Sequence, residues 1–525
     1  MRWRRLAAVL LAGLGLVGLS ACGSAGGQAQ PKAEAAVADY ASYTQVMVFW
    51  DPSDSYSNEI IAMPQMYETL LRYDPQTDKF IPVLATSYEK SQDGLTWTFH
   101  LRHNVHFHDG SLMTSANVKA SIERTMQRGN GAAYIWDAVK SIATPDKYTV
   151  VFHLSTPSPI DFAAASPYAA WIFNTAPLKQ HGQNWFAKGH EDGTGPYELQ
   201  SWSNGQPLVL KAFKDYWGGW KGSHYTKLVF QTIQSSSTRA QMLESGQLTF
   251  TDFLPFQEIQ SLKSDKNLKV VVTPSWQNLM AFFNTKKKPL DNVLVRQALS
   301  EAFPYQEVDQ DVMHGYATQS RGPVPLGLWG HDPSLKQYHY NLSQAKALLQ
   351  QAGIKPNTLN LTLTYTAGDD NESNAAALYK ASLAQIGVNL TVKPMPWVAQ
   401  WNLAKATNPA QRQDIFMMYW WPDYANPYSF LFNLFHTEKT VNFNLAYYYN
   451  SGFDKLIDQA NIDSGVNRSE AVKLYDQAQT MLVQDAPAIF VFDEEHVRVI
   501  PKQMHGYYDN PAYTNVVFWY DVTPN

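Results

Sequence analysis

Two groups of residues in this 525-residue chain have types and spacing that could do chemistry. The first is Asp423, set among Tyr419, Trp420, Trp421 and Tyr424. A carboxylate among aromatics needs a cationic or N–H partner, because burying it alone is costly. It reads either as an aspartate capping a turn or helix ahead of Ala425-Asn426-Pro427, or as an anchor for the positive end of a ligand. The second group is His100, His103, His106 and His108 with Asp109. Imidazoles and a carboxylate are ligand types of transition-metal sites, and His106 and His108 would share one face of a strand. The surrounding Phe107-His108-Asp109-Gly110 also reads as a plain Asp-Gly turn.

Hydrolytic chemistry has no motif to rest on. There is no nucleophile elbow, no His-Glu-x-x-His and no phosphate-cradling glycine loop. A secreted hydrolase is therefore the distant alternative, and no cofactor or metal is expected. Aromatics make up 13% of the chain, with 16 Trp and 29 Tyr, a composition suited to lining a cleft. A net charge of −5 gives no sign of nucleic-acid binding, which would call for a basic patch. Apolar content of 45% and charged content of 17% describe a globular chain, long enough for two or three domains.

The first residues give the compartment. Arg2, Arg4 and Arg5 precede an apolar run from Leu6 to Leu19, the layout of an export signal too short to span a membrane stably. Leu19-Ser20-Ala21-Cys22-Gly23 resembles a bacterial lipobox, and Cys22 is the single cysteine of the chain. Residues 1–22 are read as a lipoprotein signal peptide, with Cys22 lipidated. Residues 23–39 are small and polar, a flexible tether. The body would thus be extracytoplasmic and lipid-anchored.

The elements that must position Asp423 begin with the strand before it. Ile415 to Trp421 is continuously apolar and ends at Pro422, as a strand buried on both faces would. Leu359–Tyr365, Ala375–Ile386 and Val388–Lys393 read as strand, helix and strand, which favours a parallel pair. Asn341 with Gln344 marks a helix start. Upstream, Gln45–Trp50 reads as a strand and Ile60–Leu71 as a helix, with Pro64 early in it or kinking it. Leu95–Leu101 and Tyr148–Leu154 alternate as half-buried strands, and Thr114 or Ser115 caps a helix between them. Val270–Val272 and Met280–Asn284 read as separate strands.

Several segments together resemble the family-five extracellular solute-binding proteins of ABC importers, the peptide- and nickel-binding group. They include Leu84-Ala85-Thr86-Ser87-Tyr88, Asp93-Gly94-Leu95-Thr96-Trp97-Thr98-Phe99, Val105-His106-Phe107-His108-Asp109-Gly110, Gly193-Thr194-Gly195-Pro196-Tyr197 and Val295-Arg296-Gln297-Ala298-Leu299. The resemblance implies an α/β, two-lobed periplasmic-binding-protein-like fold of type II, with a third domain and hinge closure on the ligand. Lobe I would comprise residues 40–72, 190–278 and 495–525, the inserted domain 73–189, and lobe II 279–494. It also implies that Asp423, in the pattern Trp420-x-x-Asp423-Tyr424, holds the free amine of a short peptide. The preceding strand would pair with the peptide backbone, Trp420 would floor a side-chain pocket, and Phe49, Trp50 and Asp51 would face it from lobe I. Arg412, His436 and Lys405 are candidates for the ligand carboxylate. An ABC permease and its ATPase are the implied partners of a monomer. The alternative ligands within the same architecture are an oligosaccharide or a nickel chelate.

Overall fold

The computed structural model describes residues 36–524, so the signal segment and Cys22 lie outside the described residues. Four sheets organise what is described. A five-stranded sheet runs in the order Phe250–Thr251, Val37–Ser42, Lys227–Thr232, Leu208–Ala212 and Tyr197–Ser201. A four-stranded antiparallel sheet contains Ala85–Lys90, Thr96–Leu101, Thr149–Leu154 and Val139–Asp146, with the helix Ser115–Arg128 against it. A hairpin joins Leu71–Asp74 to Lys79–Pro82. The six-stranded sheet holds the expected buried strand, in the order Ala317–Gln319, Ala488–Pro501, Leu268–Phe283, Ile415–Trp420, Leu359–Thr366 and Val388–Met395.

The parallel pair is present: Leu359–Thr366 runs alongside Val388–Met395 from Leu359 opposite Val388 to Thr366 opposite Met395. The helix between them, Asp370–Gln385, is capped by Asp369, whose Oδ1 accepts the Glu372 amide at 2.8 Å. Its chain turns back at Gly387, φ +74°, a conformation glycine adopts without a Cβ clash. Asn341 caps Leu342–Gln351 by accepting the Gln344 amide at 2.9 Å.

The strand Ile415–Trp420 is buried throughout, and its period of two sorts it between two cores. Phe416, Met418 and Trp420 face the larger core, which they share with the aromatic residues of the four-stranded sheet. Ile415, Met417 and Tyr419 face a second core formed with the helices Val293–Glu301 and Asp370–Gln385.

Four local expectations need correction. Val37–Ser42, not Gln45–Trp50, is the first strand; Val37, Ala38 and Asp39 pair with Lys227, Leu228 and Val229, so the end of the expected tether lies inside a sheet. Ile60–Leu71 is not one helix. Pro64 sits in the first turn of Met63–Met66, and Tyr67 already has extended backbone at ψ 150°. From there the chain bridges to another segment, Glu68 pairing with Ile172. Val270–Val272 and Met280–Asn284 belong to one long strand, Leu268–Phe283, whose ladder with Ala488–Pro501 is interrupted between Pro274 and Asn278. A proline without an N–H accounts for a local break that reads as two strands.

Candidate ligand-binding site

At its end the buried strand delivers Tyr419 and Trp420, and just past it Trp421 and Asp423, to a cavity. The main chain there is tied down. The Asp423 amide donates to Ser429 Oγ at 2.7 Å, and Ser166 Oγ donates to the Asp423 carbonyl at 2.7 Å. The Trp421 indole donates to the Tyr168 hydroxyl at 2.5 Å. Asp423 as a whole is 2% exposed. Its Oδ2 accepts from the Tyr134 hydroxyl at 2.9 Å and from the Asn433 amide. Its Oδ1 has no hydrogen-bond partner among the described residues, and neither oxygen caps a backbone N–H. Burial pushes this carboxyl up to about 7, against the two side-chain hydrogen bonds that favour the ionised form. The group is an acid short of a cation.

The rest of the wall is aromatic. Tyr56 packs edge-on against Phe443 at 5.3 Å between ring centroids and lies 5.9 Å from Trp401, while Phe443 stands 5.4 Å from Trp420. The Trp397 indole donates to Ser57 Oγ at 3.2 Å, and so ties the helix Trp397–Ala404 to the segment carrying Tyr56. Behind that segment, Glu59 Oε1 accepts the Tyr56 and Ser57 amides at 2.6 and 2.9 Å. Its burial raises the carboxyl to about 7. Thr366 and Glu372, from the end of one strand and the start of the next helix, complete the wall.

Comparison with known proteins places this site in a family. The model of the bacterial extracellular solute-binding proteins, family 5, matches residues 79–442. The chain belongs to that family. This family-5 protein is 30% identical over 466 residues to the Escherichia coli (strain K12) protein named "Probable D,D-dipeptide-binding periplasmic protein DdpA", covering 86% of this chain and 87% of that one. It is 30% identical over 472 residues to the glutathione-binding protein GsiB of Pectobacterium atrosepticum, covering 88% and 89%. Among solved structures it resembles the ABC transporter-associated periplasmic binding protein DppA of Helicobacter pylori in complex with the peptide STSA. That likeness has a TM-score of 0.83 at 26% identity over 93% of this chain and 98% of the other. The two-lobed type II architecture is that of its solved relatives.

Within this family-5 protein the other anticipated residues divide. Trp420, Trp421, Tyr419 and Asp423 meet at the cavity. Tyr424 is buried behind it, edge-on to Tyr134 at 6.3 Å. Phe49, Trp50 and Asp51 do not line the cavity. Phe49 packs on Tyr56 at 4.6 Å, Trp50 on Trp202 at 4.7 Å, and Asp51 is paired by both oxygens with Arg124 at 2.7 Å. Arg412 lies 4.0 Å over the Tyr447 ring, Lys405 donates to Asn442 at 3.2 Å, and His436 sits 3.3 Å from Asp458, all outside the cavity wall. The histidine cluster does not gather. His103 stacks on Tyr148, while His108 bonds Glu191 at 2.6 Å and the Gly195 carbonyl at 2.9 Å. No group of three metal-ligating side chains occurs among the described residues.

Sequence reasoning missed Tyr134, Tyr56, Trp397, Trp401, Phe443 and Glu372. One signal was available: Trp397 and Trp401 are four apart, the spacing that puts two side chains on one helical face.

Proposed function

We propose that this family-5 protein captures short peptides in the aromatic cavity and hands them to an ABC permease, with Asp423 receiving the free amino group. The observation that carries the reading is the free Oδ1 of a buried carboxylate on an aromatic wall that has no basic residue. An ammonium there supplies the missing cation, and a charge-assisted hydrogen bond of this kind contributes about 1.5–3 kcal/mol. The adjacent strand supports it too. Pairing of Ile415–Trp420 with Leu359–Thr366 stops at Phe416; the Met417 carbonyl then accepts from the Gln400 amide at 3.0 Å, and the residues beyond it keep an edge for a peptide backbone. The relatives named above carry a D,D-dipeptide, glutathione and the peptide STSA in their descriptions.

On this reading lobe I spans 40–72, 190–278 and 495–525, the inserted domain 73–189, and lobe II 279–494. The strands Leu268–Phe283 and Ala488–Pro501 cross both boundaries, and the break in their ladder between Pro274 and Asn278 is a natural place to bend. Opening there admits a peptide, and closure brings both walls onto it. The protein acts as a monomeric carrier and not as an enzyme. It is exported and held at the membrane through Cys22, a reading supported by the Leu19–Cys22 pattern. Thermal shift tests the ligand class. Di- and tripeptides are expected to raise the melting temperature by several degrees, by mass action on the folded state, and cello- or xylo-oligosaccharides are not. Stabilisation by the sugars alone refutes it.

A further inference from the structure

The cavity holds a second acid that an amine anchor does not use. Glu372 is 1% exposed and lines the same cavity as Asp423. Its Oε2 accepts the Thr366 amide at 2.6 Å, and its own amide is held by Asp369, so the residue is fixed in place. Thr366 is the one residue that hydrogen-bonds this carboxyl, through its amide at Oε2 and through its side chain, and Oε1 takes no donor from any other described residue. A purely structural acid at a helix start accounts for the contact with Thr366 and leaves Oε1 without a further donor. Three other polar groups of the wall have no partner: the Tyr419 hydroxyl and the indole N–H groups of Trp401 and Trp420, all on residues nine-tenths buried. Buried polar groups left unpaired are costly, and in a ligand site they mark where the ligand's own groups go.

The charge balance decides what that ligand is. The wall carries two carboxylates and no lysine, arginine or histidine. The larger crevice beside it, of about 490 Å³, shares Thr44 and Trp397 with the cavity and is uncharged throughout. A peptide with one amine and one carboxylate would satisfy Asp423, leave Glu372 unpaired and bring an anion into an acidic, aromatic chamber. A peptide with an additional cation matches both acids, and the indole faces attract that cation further.

We infer that Glu372 is a specificity-determining residue that receives a second positive charge, so that the ligand class is a short peptide bearing a lysine, ornithine or arginine side chain. This rests on the reading of the cavity as a peptide site with the amine on Asp423. The idle indole N–H groups supply donors to ligand carbonyl or carboxylate oxygens where no basic residue does. Burial, reinforced by Asp369, holds the Glu372 carboxyl well above the ordinary carboxylate range. A guanidinium or ammonium at Oε1 offsets both effects, whereas a neutral side chain offsets neither.

Isothermal titration of the full-length protein with Ala-Ala, Ala-Lys, Ala-Arg and the free amino acids lysine and arginine tests this. Basic dipeptides should bind roughly ten- to hundred-fold tighter than Ala-Ala, the worth of one charge-assisted contact. In Glu372→Gln, which keeps an oxygen for the Thr366 amide, that ratio should fall to within about threefold of one. Equal binding of Ala-Ala and Ala-Lys by the wild type overturns the inference and leaves the peptide reading standing. A preference that survives in Glu372→Gln also overturns it. Should free lysine or arginine bind in a Glu372-dependent manner while no dipeptide binds, the assignment of Glu372 stands and the peptide reading falls. If none of the basic compounds binds, the inference fails. The wild-type ratio is decisive even if the variant does not fold.

Discussion

Tyr134 and Asp423, 289 residues apart, share a hydrogen bond of 2.9 Å that commits one carboxylate oxygen and leaves the other over. Asn433 closes the triangle, donating both to the Tyr134 hydroxyl at 3.0 Å and to the same Asp423 oxygen. A carboxylate held this way cannot rotate to share its oxygens, so Oδ1 keeps one direction. That is pre-organisation: the site is ordered before the ligand arrives, and binding does not have to order it.

Asp423→Asn tests the anchor. The amide oxygen can take the place of Oδ2 toward Tyr134 and Asn433, which turns an N–H toward an incoming ammonium. Peptide affinity should fall by roughly ten- to hundred-fold. The ligand-free melting temperature should hold or rise, because a buried ionisable group has been made neutral. Unchanged affinity in a folded variant removes Asp423 from the ligand.

The pH dependence follows from the same carboxyl. Burial raises it from 3.8 to about 7 in the folded state. Between those values the native protein holds a proton that the unfolded chain has lost, so this group's contribution to stability declines as pH rises through that window. Binding an ammonium runs the other way, because it needs the ionised form. Affinity for Ala-Ala should rise by up to about tenfold per pH unit below 7, then fall again as the ligand's own amine, with a pKa near 7.7–8.0, loses its proton. Titration in buffers of different ionisation enthalpy should show proton release on the acid limb. A flat profile without proton release contradicts the assignment.

Tyr134→Phe separates positioning from contact. Its hydroxyl favours the ionised carboxylate, so deleting it should raise the Asp423 carboxyl further and move the acid limb of the affinity profile to higher pH. At neutral pH the loss should be several-fold, about 1 kcal/mol for one neutral donor. An acid limb that stays in place, with only a lower melting temperature, would make Tyr134 structural.

Much of the frame was readable because its signals are local. The apolar run Ile415–Trp420, the parallel strand–helix–strand unit and the caps at Thr114 and Asn341 each depend on a few neighbours in sequence. Asp423 stood out for the same reason, a carboxylate among aromatics. The residues around it did not, since Tyr56 and Glu372 reach the cavity, and Tyr134 reaches the Asp423 carboxyl, from three distant segments that no local pattern links. The stretch Phe49–Asp51 misled in the opposite direction. The family resemblance sets it facing the pocket, yet tertiary packing buries Asp51 against the helix Ser115–Arg128. Ile60–Leu71 failed because helical spacing of apolar residues also suits an irregular segment buried on several sides, where Ile60, Met63, Tyr67 and Leu71 all reach the core.

Asp51 supplies the last test, since a ligand contact and a structural pair predict opposite results. Both of its oxygens meet Arg124 at 2.7 Å, Arg124 also donates to Ser53 at 2.5 Å, and the side chains are 3% and 9% exposed. Neighbouring Arg128 pairs with Asp54, so two arginines of the helix Ser115–Arg128 clamp the loop that leads to Tyr56. Asp51→Ala strands a buried guanidinium, which typically costs about 3–5 kcal/mol. The variant should therefore melt several degrees lower in a ligand-free scan. At a temperature where it remains folded, its dipeptide dissociation constant should stay within about threefold of the wild type, less than the tenfold that 1.4 kcal/mol represents. A variant that melts normally but binds ten times more weakly would return Asp51 to the ligand site.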